Sequence, residues 1–431
     1  MLSRLLGMND SHAQTNTAVV VGGGPAGLIA AAKLADAGIA TTLLEASSAL
    51  GGRAASKSQA GFDLNQGAHA LYAGGPAVRQ LRSLGIDPER WNPVSHRSVF
   101  LRAGRARRSP GGLPALSRWL GPVLRRGPAG LERTSVNEWL VRTLPDPDAR
   151  AAAGALVRVT TFVADHDALS ADVAARQIRL GAAPGVRYIT GGWGRIVDAL
   201  EAQARERGAT IRTRAGVRAL EPIADGGWSI RLDDEVLLAD AVVLAAGEYG
   251  ASAQLLSERA PASPGPAAEV STLDLGLSSL PRRGRTFGLG IDEPTYISKH
   301  SPPGHTDGVL MSLIRYERGP RSALESVADV VAPGWRERLT FARFLPRMVA
   351  VSAIPTPASG GLAGRPSVDR GDGLFLAGDW VGPEGWLLDA ALSSGAAAAS
   401  GAAAAAAAAG GAAAARAAAG DRRIANGSRS R

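Results

Sequence analysis

The 431-residue chain contains no cysteine. Disulfides, thiolate metal sites and any prosthetic group tethered through sulfur are therefore excluded, while the redox compartment stays open. Lysine is almost missing too: among 48 basic side chains only Lys33, Lys57 and Lys299 are lysine. A net charge of +9 would ordinarily raise nucleic acid or an anionic membrane as partner. Here the excess of arginine, alanine and glycine reads as codon bias in a GC-rich genome, and nothing has the pattern of a nucleic-acid module. Some arginines do cluster, at Arg97, Arg102, Arg105, Arg107 and Arg108, then Arg118, Arg125 and Arg126. They read as a solvated hairpin and loop. The alternative is a basic patch for an anionic substrate or for peripheral contact with a membrane.

Other chemistry is also missing. There is no Ser-His-Asp array, no metal-ligand cluster with sensible spacing and no internal repeat. His300 and His305 fall in a Pro/Gly-rich stretch without an acidic partner, which predicts a surface loop rather than a metal site. Residues 1–15 are polar and short of a signal-peptide core, so they read as a disordered leader. Gly395 to Ala415 carries no charge. Alanine is close to neutral for membrane insertion, so this run reads as a buried helix grading into a low-complexity tail over 411–431. No transmembrane segment is predicted, and the expected location is the cytoplasm. At 45% hydrophobic and 20% charged residues the composition is globular, with length for two packed domains.

What is present begins at Ala18. The apolar run Ala18–Val21 predicts a buried parallel strand, and Gly22, Gly24 and Gly27 follow in G-x-G-x-x-G spacing around Pro25 and Ala26. An Ala/Leu helical segment stops near Gly38, and a second strand, Ala40 to Leu44, ends on Glu45. Strand, glycine turn, helix, strand and terminal acid together form a dinucleotide fingerprint in its proper context. Gly22 permits the tight turn, Gly24 lets backbone approach a pyrophosphate, and Gly27 lets helix pack on strand. The free N–H groups and positive end of that helix face the phosphates. Glu45 stands where a carboxylate accepts from ribose hydroxyls. A second fingerprint is absent: Gly191–Gly194 and Gly288–Gly290 lack strand, spacing and acid, so no separate NAD(P)H domain is expected.

Five residues after Glu45 comes Leu50-Gly51-Gly52-Arg53, and then Gly61-Phe62-Asp63-Leu64-Asn65-Gln66-Gly67-Ala68-His69. With these elements the chain resembles the FAD-dependent amine oxidase and phytoene desaturase superfamily. The resemblance implies FAD as cofactor, with Gly51, Gly52 and Arg53 at its pyrophosphate and Gly67, Ala68 and His69 beside the isoalloxazine ring. Arginine's planar fork of donors suits phosphate oxygens. The acid of the turn, Asp63, lies two residues earlier than the family pattern places it. Further matches are the Thr190–Leu200 segment and a strand over Ile211–Leu220 bearing Val217, implied to touch adenine. Asp240 to Gly247 resembles the strand that runs behind the nucleotide, and Gly373-Leu374-Phe375-Leu376-Ala377-Gly378-Asp379-Trp380, an apolar strand followed by Gly-Asp, with the helix opening at Leu387 and Leu388 completes the set.

The implied fold is α/β, a discontinuous Rossmann-like FAD-binding domain with an inserted α+β substrate domain carrying a mixed sheet and helices. The FAD-binding parts fall at 16–75, 188–250 and 366–410, and the substrate-binding parts at 76–187 and 251–365. The implied function is a FAD-dependent oxidoreductase that desaturates or oxidises a lipophilic small molecule by hydride transfer to flavin N5. The texture around His69–Gly75 and Gly382–Gly385 is closer to phytoene-desaturase-related enzymes than to monoamine oxidases. The alternatives are a flavin amine oxidase using O2 and a non-catalytic carrier of the same fold. Candidates for the chemistry itself are Trp386 as an aromatic wall before the flavin, Lys299 as an amine reaching N5 through water, and His69.

Overall fold

The computed structural model describes residues 16–92, 98–281, 284–302 and 308–427, the last of these from 412 onward as helix backbone alone. The leader 1–15, Arg97 and His305 lie outside the described residues.

Thr17–Val21 is the third strand of a five-stranded, wholly parallel sheet. The strand order is Thr210–Arg212, Ala40–Leu44, Thr17–Val21, Ala241–Leu244, Leu374–Leu376. Of the three inner strands, two are continuous buried apolar runs rather than alternating ones, over Ala18–Val21 and Ala241–Leu244. The sheet draws on stretches of chain hundreds of residues apart, and each parallel pair is joined by a crossover rather than a tight hairpin. Helix α1 (Pro25–Asp36) begins with proline at its first turn and is alanine-rich on its inner face, so it lies close to the sheet.

Past a hairpin of Ser56–Gln59 and Phe62–Asn65 and the short helix α2 (Pro76–Ser83), the chain leaves this layer. A second hairpin, Ser98–Arg102 with Arg105–Arg107, precedes four helices: α3 (Leu113–Arg126), α4 (Val136–Thr143), α5 (Pro147–Thr161) and α6 (Ala171–Ala182). Side chains cap two of them. Ser135 Oγ accepts from the Glu138 N–H at 3.1 Å, and Asp146 from the Ala149 N–H at 2.9 Å. Their common core holds Trp119, Trp139, Val157 and Trp386. The chain then returns through Val186–Ile189 and α7 (Gly194–Glu206), which packs on α1.

Beyond Ala241–Leu244 and α8 (Tyr249–Leu256) the chain builds a seven-stranded sheet. Its order is Leu339–Val351, Ala268–Leu277, Val309–Arg315, Thr295–Lys299, Phe287–Gly290, Ser98–Arg102, Arg105–Arg107. All pairs are antiparallel except Phe287–Gly290 with Ser98–Arg102. Helix α9 (Arg321–Val331) covers one face through Leu324, Ala328 and Val331. The last element, α10 (Leu388–Gly427), returns to the first layer against α1 and α2.

Two sequence-based expectations change. The strand predicted over Ile211–Leu220 is two strands, Thr210–Arg212 and Ala219–Pro222, and Val217 sits in the link between them. The low-complexity tail continues the helix of α10 to Gly427, since alanine is the strongest helix former and the run contains no proline. One helical stretch, Leu388–Gly411, is long and apolar enough to cross a membrane by length and composition. More than half of its apolar window is buried within the fold.

Candidate functional site

A cavity of about 540 Å³ runs along the C-terminal ends of the parallel strands, the usual ligand position of an open α/β sheet. Its size falls within the range of cofactor and small-molecule sites. One end is bordered by Glu45, Ala215 and Val217, the middle by Gly22–Ala26, Gly52, Arg53, Gly378 and Asp379, and the other end by Ala68, His69, Phe162, Met348 and Leu387.

The glycine turn is built by exclusion. A Cβ on Gly22 would lie 2.2 Å from the Ala245 carbonyl oxygen, and one on Gly27 would lie 1.9 Å from the Gly22 carbonyl oxygen. At Gly24, by contrast, a Cβ would meet nothing within 4 Å, because that position faces the open cavity. No side chain caps α1 and its first turn holds no acid, so its N–H groups are free for an anion. Glu45 is fixed from both oxygens. The Gly23 N–H donates to Oε2 at 2.7 Å and the Ser47 N–H to Oε1 at 2.8 Å.

Arg53 reaches across this floor to Asp379, donating from Nη1 and Nη2 at 3.0 and 2.6 Å. Burial pushes the Asp379 carboxyl up, but the Arg53 guanidinium and the Ser352 N–H at 3.1 Å outweigh it and hold it below the ordinary carboxylate range. Burial pulls the Arg53 guanidinium down, and Asp379 more than restores it. The sequence-based reading gave Arg53 to a pyrophosphate. In the structure its fork is paired with a carboxylate, yet it stays 38% exposed along the cavity and keeps donors for a second acceptor. Behind this pair lies a support that sequence reasoning missed. Buried Arg365 donates to the Asp379 carbonyl at 2.8 Å and to the Gly385 carbonyl at 2.9 Å, and burial lowers its pKa to about 10. It braces the turn that leads into α10, and no spacing in the sequence marks it.

Gly67 has φ +86° and lies against Met348, while its neighbours Ala68 and His69 border the cavity. Gly51 likewise stays behind the wall formed by Gly52 and Arg53. The His69 ring packs edge-on to Trp193 with centroids 4.5 Å apart, and its Nδ1 lies 2.9 Å from the Gly67 carbonyl oxygen. Burial lowers its pKa, so the ring is neutral. Gly247, at φ +84°, borders the cavity and accepts from Trp380 Nε1 at 2.8 Å. Leu387, at φ +53°, and Leu388 bring the start of α10 to the same wall.

Two candidates for the chemistry are not brought to the cavity. Trp386 is buried in the four-helix core, its Nε1 donating to the Thr161 carbonyl at 3.0 Å, and Leu387 borders the cavity in its place. Lys299 ends a strand whose alternation sets it on the α9 face with Ile297, away from Ser298 and the cavity. Burial depresses its pKa, and it has no ion-pair partner among the described residues. None of the three lysines borders the cavity. Phe162, Met348, Val349 and Ala350 do, and none belongs to a recognisable motif.

His300 also departs from expectation. Rather than lying on a surface loop, it stacks on Tyr188 with centroids 4.3 Å apart, and its Nε2 is buried without a partner among the described residues. Burial, with His69 nearby, lowers its pKa to about 3. The two histidines border a second cavity of about 120 Å³ together with Tyr188, Asp274 and Ser312. Among the described residues no group of acids and histidines could hold a metal ion.

Residues 25–279, more than half of the chain, match the family model of flavin-containing amine oxidoreductases. Among solved structures, a Pyrococcus furiosus protein superposes with a TM-score of 0.69 at 22% identity, over 90% of this chain and 97% of that one. Cyclohexylamine oxidase from Brevibacterium oxydans gives 0.69 at 16% identity, over 91% and 98%. An oxidoreductase from Methanosarcina mazei gives 0.67 at 19% identity, over 87% and 98%. The glycine turn open at Gly24, the fixed Glu45 and the Arg53–Asp379 floor fit the extended dinucleotide which that family binds. The chain belongs to the flavin-containing amine oxidoreductases and is a FAD-dependent oxidoreductase.

Proposed function

We propose that this enzyme desaturates or oxidises a lipophilic small molecule, which delivers a hydride to the flavin. The observation that carries the reading is the wall at the far end of the cavity: Ala68, Phe162, Met348, Val349, Ala350 and Leu387, with no lysine and with neutral His69 as its titratable side chain. A cationic amine entering here would lose hydration without gaining a carboxylate, whereas an apolar substrate gains from burial. In this reading 16–75, 188–250 and 366–410 hold the cofactor, and 76–187 with 251–365 enclose the substrate.

Bound FAD supplies a two-electron acceptor. The residues do the rest. Free N–H groups of α1 and the Arg53 fork would bind the pyrophosphate, Glu45 would accept from the ribose hydroxyls, and Val217 would lie against the adenine. The apolar wall excludes water and orients the substrate. His69, neutral and beside that wall, accepts a proton when the substrate releases one.

The test is anaerobic titration of the purified yellow protein with cyclohexylamine, putrescine, phytoene and protoporphyrinogen, read as bleaching of flavin absorbance. Bleaching by the isoprenoid or the tetrapyrrole, with both amines inert, is the expected result. Bleaching by amines alone, with peroxide formed in air, would make it an amine oxidase. A colourless protein that FAD cannot reconstitute would make it a carrier.

A further inference from the structure

We propose that α3 and the hairpin before it form a docking surface for an anionic lipid bilayer. The surface stands on its own charges and exposure; its purpose, delivery of a lipophilic substrate, rests on the function proposed above.

Residues 98–131 contain seven arginines and no acidic residue. Arg102 is occupied by Asp148 and Asp292. The other six, Arg105, Arg107, Arg108, Arg118, Arg125 and Arg126, are exposed and form no ion pair among the described residues. They belong to one region. Gly111 and Gly112 carry the chain from hairpin to helix so tightly that a Cβ would lie 2.6 Å from Arg102 Nη1 at the first and 2.2 Å from the Ala149 nitrogen at the second. At the other end of α3, Arg179 of α6 reaches a Cβ position on Gly127 at 2.5 Å, and it too is exposed and unpaired among the described residues. The nearest acids in sequence are Glu132 and Glu138, and Glu138 pairs with Arg142.

Helix α3 is two-sided. Trp119 and Val123 point into the four-helix core. The outer stripe reads Leu113-Pro114, Ser117-Arg118, Gly121-Pro122, Arg125-Arg126, and Leu113 is 47% exposed. A helix with arginines and an exposed leucine along a stripe free of acid lies in the plane of an anionic bilayer, its guanidinium groups on phosphates and its apolar side chain below them. Nucleic acid would use the arginines but has no place for Leu113-Pro114. The inner side of the same helical layer carries Trp386 and Phe162, and Phe162 borders the flavin cavity. Docking through α3 would thus leave one layer of helices between lipid and cavity.

The experiment is sedimentation of the FAD-loaded protein with phosphatidylglycerol vesicles and with phosphatidylcholine vesicles at 150 mM salt. Binding to the first and not the second is expected. The triple variant Arg118→Gln, Arg125→Gln, Arg126→Gln should bind about a hundredfold more weakly, and Leu113→Ser should lower binding at unchanged net charge. A control with equal loss of charge elsewhere, Arg205→Gln, Arg321→Gln, Arg336→Gln, should bind as the parent does. Flavin absorbance reports that each variant is folded. Absence of binding by the parent, equal binding to both vesicles, equal loss in the two triple variants, or tighter binding to duplex DNA than to phosphatidylglycerol would each overturn the proposal. None of these outcomes touches the bleaching experiment, so the two readings fail separately.

Discussion

Arg53 and Asp379 hold each other, and mutation separates that contact from the pyrophosphate binding proposed for Arg53. Asp379 is 5% exposed, and removing Arg53 takes away its ion-pair partner, leaving the buried charge to the Ser352 N–H and the more distant field of Arg365. Arg53→Ala should therefore lower the melting temperature and weaken FAD binding by tenfold or more, read by flavin fluorescence titration. Adding Asp379→Asn should return most of the melting temperature without returning the affinity. Undiminished affinity in Arg53→Ala would remove the arginine from the pyrophosphate. Asp389 tells a pH story. Its Oδ1 accepts from the Ala77 N–H at 2.8 Å, its Oδ2 is buried without a partner among the described residues, and burial raises the carboxyl pKa to about 7. The folded state thus holds this proton more tightly than the unfolded chain does, so stability falls as pH rises from about 4 to about 7. Asp389→Asn keeps an acceptor for Ala77 and drops the charge. It should be more stable than the parent above pH 7, by a few kcal/mol at most, and match it below pH 4, as read by denaturant titration.

Helices α1 and α10 meet at Gly395, where a Cβ would lie 2.3 Å from the Ala26 carbonyl oxygen and 2.7 Å from Ile29 Cγ2. Both helices present their N-terminal ends to the cavity, so a wedge between them moves two walls at once. Gly395→Val should cost about 1–3 kcal/mol of stability and loosen FAD more than Arg365→Lys does, measured by thermal melts and by flavin release on gel filtration. The elements that border the cavity at Gly22, Glu45 and Arg53 were the most legible in sequence. A glycine turn between a buried strand and a helix, closed by Glu45, has one geometry. The substrate side was less legible because its walls come from ordinary strands and caps. Phe162 borders the cavity from the end of α5 with φ +64°, and Met348 from an irregular strand with shifted register. Neither position has a residue type that announces it. Lys299 and Trp386 misled for a related reason: chemical type was readable, but the face of the strand or the side of the turn was set by packing from elsewhere in the chain.

At the scale of the molecule, one cavity is bordered by the ends of several elements that otherwise belong to separate cores. Binding to the folded state alone stabilises it by about 2.7 kcal/mol at a hundredfold excess over the dissociation constant. Calorimetry of apo-protein should therefore show a broader or lower transition, which sharpens and rises as FAD is added. Separate transitions that ignore FAD would show that the cavity does not couple the layers.

The Arg53–Asp379 contact spans 326 positions of sequence. A ribosome has to deliver the chain from Arg53 through Asp379 before that contact closes, and Leu387 and Leu388 emerge later still. Under the proposed function, cofactor loading waits for Leu388, and a chain truncated before Asp379 should be colourless, with its glycine turn complete and the opposite wall not yet made.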